Sequence, residues 1–196
     1  MKPAEKRALA AIQAELSRVI RYDDESIVHD TWIRQRYDDG SFPSLGPARK
    51  AIVETAWHEA GHAVAALAVG SQFSSASIRH GRDNEGRVRG ISGTSDLAFV
   101  IDAAGQIAQR LMNWTMLERD DDLRAWLPTW KSDGGDAQRF RRALRARFGD
   151  DEVAAWRYSE EMLTPRRLTI RQVARALLVQ PRHLPYAVVA AIADNC

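Results

Sequence analysis

His58, Glu59 and His62 stand in the order His-Glu-x-x-His within the run Trp57-His58-Glu59-Ala60-Gly61-His62-Ala63. Residues four apart on a helix lie one above the other, so both imidazoles can face a single metal ion. Glu59 follows the first imidazole directly, which places it to reach a water at the metal rather than the metal itself. The pattern implies Zn²⁺ as cofactor, His58 and His62 as two of its ligands, and a hydrolytic reaction with Glu59 as general base.

Catalytic zinc takes three protein ligands and keeps a fourth position for water, so one ligand is missing from the motif. The remaining histidines, His29, His80 and His183, have no spacing that recommends them. Asp136 is the preferred candidate. It follows Gly134-Gly135, falls in the first turn of an expected helix, and precedes Phe140 by one turn, which puts it on the buried face. The positive end of a helix dipole favours a carboxylate there by roughly 0.3–1 kcal/mol. Asp133, Asp102, Glu85 and the run Asp120-Asp121-Asp122 stay open as alternatives, and Asp133 or Asp136 can equally be a simple helix cap.

These residues need elements to hold them. Pro47 suits the first turn of a helix and Gly70 the position past its end, with Ile52, Ala56, Ala60, Ala63, Val64 and Leu67 at helical spacing between. Gly61 in mid-helix costs about 1 kcal/mol against alanine, which implies close approach of another backbone. Residues 75–79 and 86–91 read as two strands joined by the turn Asp83-Asn84-Glu85-Gly86. Helices are expected over 4–21, around 27–33, over 95–114, from Asp136 to Gly149, and over 151–163, 165–179 and 185–193. Residues 38–46 read as a loop, and 118–132 as a loop or broken helix. The expected fold class is α+β, mostly α: a zincin-like helical domain with a small β-hairpin or sheet beside the motif helix. Residues 1–46 read as a helical extension and 47–196 as the domain that carries the site.

The chain has 196 residues, 45% of them hydrophobic and 28% charged, enough to bury a core. Its formal charge of +2 gives no argument for nucleic acid. Subtracting Lys2, Lys6, Lys50 and Lys131 from the 28 basic residues leaves 24 arginines, a lineage bias in composition rather than a binding signal. Cys196 is the one cysteine, which excludes an internal disulfide and suits a reducing cytoplasm. No export-type apolar leader and no run of about 18 apolar residues is found, so neither secretion nor a membrane anchor is expected.

Four blocks resemble the zinc peptidase domain of the FtsH-type AAA+ proteases. Thr55-Ala56-Trp57-His58-Glu59-Ala60-Gly61-His62-Ala63-Val64 is similar to that family's Ala-Tyr-His-Glu-Ala-Gly-His-Ala, with Trp57 for the tyrosine. Ala76-Ser77-Ile78-Arg79-His80-Gly81, followed by Gly90, resembles the strand after its motif helix. Ala104-Gly105-Gln106-Ile107-Ala108-Gln109 resembles its Gly-Gly-Arg-Ala-Ala-Glu helix, with Gln109 for the glutamate. Gly135-Asp136-Ala137-Gln138-Arg139 aligns with its Asn-Asp-Leu segment, whose aspartate is the third zinc ligand, so the resemblance implies that role for Asp136. The implied activity is zinc-dependent endopeptidase cleavage of a protein or peptide substrate. No Gly-Lys-Ser/Thr phosphate loop is present, which implies a stand-alone peptidase domain that works with a separate ATPase or a regulatory protein, or without either. Hexamers in that family leave an oligomer open. The zincin-like order of helix and strand also suggests 86–91 as an edge along which an extended peptide adds.

Blander readings stand beside these. Two helix histidines can form a structural pair without metal, although Glu59 and the small residues at 60, 61 and 63 weigh against it. An inactive zincin-like binding module is a second alternative, and an antirepressor-type peptidase specific for one regulatory partner a third. Arg139, Arg141, Arg142, Arg145 and Arg147 read as a solvated helix face, not a nucleic-acid surface. The tryptophans read as packing, with Trp126 and Trp130 also candidates to line a cleft.

Overall fold

A computed structural model of the chain describes residues 1–19, 46–79, 85–93, 96–113, 115–131, 135–180 and 183–196. The elements are α1 (Pro3–Val19), α2 (Gly46–Ala68), β1 (Ser75–Arg79), β2 (Glu85–Arg89), α3 (Ala98–Asn113), α4 (Asp120–Trp126), α5 (Asp136–Ala143), α6 (Arg145–Phe148), α7 (Glu152–Leu163), α8 (Arg167–Val179), β3 (Leu184–Pro185) and α9 (Tyr186–Ala193). The fold is α+β and mostly helical, with one three-stranded antiparallel sheet in the order β2-β1-β3. Among the described residues no helix is long and apolar enough to cross a membrane.

α2 is the element around which the others assemble. Ile52, Val53, Ala56, Trp57, Ala60, Ala63, Val64, Ala65 and Ala66 are all buried, so its apolar residues are spread around the helix instead of along one stripe. A helix of that kind must be enclosed. α3 and α8 pack along it, and β1 and β2 cover a further side. Trp57 is 2% exposed, a burial whose loss on shortening to alanine would cost about 3–5 kcal/mol. The helix closes with Gly70 N–H bonded to the Leu67 carbonyl and Ser71 N–H to the Ala66 carbonyl, the paired bonds of a Schellman end.

Gly61 sits where α2 and α3 cross. A β-carbon there would lie 2.4 Å from the Ala104 carbonyl oxygen and 2.7 Å from Ala108 Cβ, so the expected close approach is to the backbone of α3. α3 turns Phe99, Ile101, Ala104, Ile107, Ala108 and Leu111 inward. α1 joins the same core through Ile12, packing near α8 and α9.

Several boundaries differ from the sequence reading. The expected helix near 27–33 and the loop 38–46 lie outside the described residues, as do parts of the turn before Gly86. β2 ends at Arg89 rather than Ile91, because Gly90 takes a φ of +67° and Ile91 emerges exposed. Of the stretch 118–132, the described residues 118–131 take the broken-helix form, α4 followed by a 3₁₀ turn at Leu127–Thr129. The helix expected from Asp136 to Gly149 is divided at Leu144 into α5 and α6. Leu144 N–H still reaches the Phe140 carbonyl and Phe148 N–H the Leu144 carbonyl, while the Arg147 N–H bond to that same Leu144 carbonyl tightens the turn. β3, two residues pairing Ser75 with Pro185 and Ala76 with Leu184, had no sequence signal of its own.

A candidate metal centre

The four-residue spacing on α2 stacks the imidazoles, whose Nε2 atoms stand 3.0 Å apart. Asp136 arrives from α5. The N-cap position just before its helix is Gly135, whose φ of +78° favours glycine, and no side chain caps the first turn. Asp136 is therefore not the cap. It is the first helical residue, 4% exposed, and with Ala137 and Phe140 forms the buried face of α5.

Asp136 Oδ2 lies 3.1 Å from His58 Nε2 and 3.5 Å from His62 Nε2. These three separations, 3.0, 3.1 and 3.5 Å, are close to or a few tenths of an ångström below the edges of about 3.3–3.6 Å of a tetrahedron around an ion with bonds of about 2.0–2.2 Å. The donor set of two imidazoles and one carboxylate suits zinc. Among the described residues, His58, His62 and Asp136 form the group of ligand atoms close enough to hold a metal ion. His58 keeps 22% of its side chain exposed, against 10% for His62, so the cluster opens to solvent on the His58 side.

Outer contacts orient these groups. His62 Nδ1 is 2.7 Å from the Ile101 carbonyl, an acceptor only, so Nδ1 carries the proton. In the neutral ring that fixes the lone pair on Nε2, the atom facing Asp136. The second oxygen of Asp136 accepts from Arg139 Nη2, and Arg139 Nε donates to Asp102 Oδ1 at 3.0 Å. Burial opposes charge on both Asp136 and His62. For Asp136 the hydrogen bonds from His58 and His62 prevail and hold its carboxyl far below the usual range. For His62 the bond to Asp136 and the charge of Glu59 prevail, and its pKa rises to about 9 without a metal.

Glu59 is 6% exposed and lies between α2 and β2, where it accepts a hydrogen bond from the Val88 backbone N–H. Burial raises its pKa, against the opposing pull of His62 and then His58. β2 leaves room for it only because residue 86 is glycine. A β-carbon on Gly86 would lie 2.2 Å from Glu59 Cγ and 2.4 Å from Oε1.

The other candidate ligands that are described lie outside this cluster. Asp102 binds Arg139 and is no member of the three-ligand cluster. Asp120 pairs with Arg157 at 2.9 Å, and Asp121 with Arg119 and Arg124. His183 is exposed, whereas His29, His80, Asp133 and the Glu85 side chain lie outside the described residues. Of the arginine stripe, Arg141 donates to Glu152 and the Leu127 carbonyl, Arg145 pairs with Asp150, and Arg147 stacks over Tyr158. Trp130 and Trp126 stack at 5.9 Å, and Trp156 meets both edge-on, an aromatic layer that backs Phe140 of α5.

Three participants were not singled out from sequence: Arg139, the Ile101 carbonyl and the space at Gly86. The signal for Arg139 was present, since residues three apart on a helix are neighbours and Asp136–Arg139 is such a pair. No protein-family model matches the chain, and no curated protein matches it either.

Proposed function

We propose that the chain is a zinc-dependent metallopeptidase domain of the FtsH type, hydrolysing peptide bonds with Glu59 as general base. One observation carries the reading: His58 Nε2, His62 Nε2 and Asp136 Oδ2 converge from two helices while a buried carboxylate, Glu59, stands beside them. The three ligating side chains would hold the ion. Zinc bound there supplies a Lewis acid and brings the pKa of a water toward about 7.

The chain's own groups do the rest. Glu59 takes a proton from the attacking water as its oxygen bonds to the scissile carbonyl carbon. The C–N bond then breaks, and Glu59 returns that proton to the leaving amine nitrogen. Burial, which raises the pKa of Glu59, makes it a stronger base than an exposed carboxylate. β2 is the outer strand of the sheet and runs past Glu59, which suits it to align an extended peptide by backbone hydrogen bonds. The substrate is accordingly a protein or peptide in extended form.

The test compares wild type with Glu59→Gln in zinc content and in hydrolysis of casein or a quenched peptide. The variant is expected to keep its zinc and lose activity by at least about 10²-fold, and a chelator should abolish wild-type turnover. Undiminished cleavage by the variant refutes the assignment.

A further inference from the structure

We propose that Arg139, itself held by Asp102, is a positioning residue that restricts Asp136 to a single ligating oxygen. The inference rests on the zinc reading and deepens it.

A carboxylate offers two oxygens to a cation, and the number engaged sets how many positions remain for water and substrate. Here the two oxygens of Asp136 have different partners. Oδ2 faces the imidazoles of His58 and His62, at 3.1 and 3.5 Å. Oδ1 is occupied by Arg139 Nη2. The guanidinium is anchored in turn, because its Nε donates to Asp102 Oδ1 at 3.0 Å. A planar cation bridging two carboxylates has its plane fixed at two points, a task that a lysine ammonium cannot perform.

The placement of Asp102 adds a second argument. The preceding residue, Ile101, supplies the carbonyl that orients His62. One turn of α3 therefore sets the direction of two ligands, His62 directly and Asp136 through Arg139. Asp102 keeps only 15% of its side chain exposed, and Arg139 reaches it from the solvent side with 53% exposed. An arginine so exposed adds little to folding stability as an ion pair. Its loss is therefore expected in metal binding and not in the fold.

The experiment uses the full chain. Zinc affinity is measured by competition with a chromophoric chelator, and the visible spectrum of the cobalt(II)-loaded protein is recorded, for wild type, Arg139→Gln, Arg139→Lys, Asp102→Asn and the double variant Asp102→Asn/Arg139→Gln. Arg139→Gln should weaken zinc binding by about 10–100-fold and reduce the visible cobalt absorption as Asp136 engages both oxygens. Arg139→Lys should recover only part of the affinity. Asp102→Asn should weaken binding less, and should add nothing once Arg139 is gone. The melting temperature of each metal-free variant, close to that of wild type, separates this result from misfolding. Wild-type affinity and spectrum in Arg139→Gln, or full additivity in the double variant, overturn the proposal and leave the zinc reading intact. Wild type that takes up no zinc overturns both.

Discussion

Gly105 of α3 lies directly against His58 of α2: a β-carbon on the glycine would stand 2.4 Å from Cε1 and 2.5 Å from Nε2 of that imidazole. The same carbon would lie 2.6 Å from His62 Nε2. A hydrogen atom at position 105 is thus what lets both ring nitrogens meet. Gly105→Ala leaves every ligand in place yet should displace the rings, lowering zinc affinity by at least about tenfold, the scale of a disturbed outer contact. Wild-type zinc content in a competition titration of this variant would count against the site.

Gly86→Ala should separate catalysis from metal binding. The added methyl meets Glu59 Cγ, Oε1 and Cδ first, the movable end of a side chain that ligates no metal. Turnover should fall by about tenfold or more as Glu59 is pushed aside, a part of the about 10²–10⁴-fold that general base catalysis contributes. Zinc content and melting temperature should stay close to wild type. Unchanged kcat would remove the contact from the mechanism.

Acidity should act in opposite directions on the metal-free fold and on metal uptake. Without metal, His62 has its pKa raised from 6.5 to about 9. A raised pKa stabilises the fold fully below 6.5, and that contribution is lost as pH climbs through 9. The chelated protein should therefore melt at progressively lower temperature between those values. Zinc must displace the same proton, so apparent affinity should rise over that window, by up to about tenfold per pH unit for each proton released. Affinity flat with pH would exclude proton displacement from His62.

Gly61→Val tests the helix crossing. Alanine or valine is a better helix former than glycine, a gain of up to about 1 kcal/mol. The added carbon, however, meets the backbone carbonyl of Ala104, which no rotamer change can relieve. The variant should be destabilised by about 1–3 kcal/mol in urea titration of the metal-free protein. A stabilised variant would show that α2 and α3 can part without cost.

The motif helix was legible because its signals are local: Pro47 and Gly70 at the ends, and apolar residues at helical spacing between. Asp136 could be ranked first because two local facts agree, its place in a first turn and its distance of one turn from Phe140. What escaped the sequence depends on elements far apart in the chain. Gly86 and Gly105 are ordinary turn and helix residues until β2 and α3 are laid against α2. Arg139 was read among a row of exposed arginines, and only the arrival of Asp102 from α3 gives it a task. β3 is two residues long, too short for any period, and exists because β1 has a free side to pair. The division of α5 from α6 at Leu144 likewise follows from one tightened hydrogen bond, which residue types alone do not reveal.

α2 bears both histidines and Glu59, and it is the helix whose buried residues are spread around its circumference. Around residues 57–66 it is packed against α3, α8 and the sheet. Deuterium should enter its backbone amides there only through whole-molecule opening, at rates that track global stability. The two imidazoles and Glu59 are thereby carried on a helix expected to stay shut for as long as the molecule is folded.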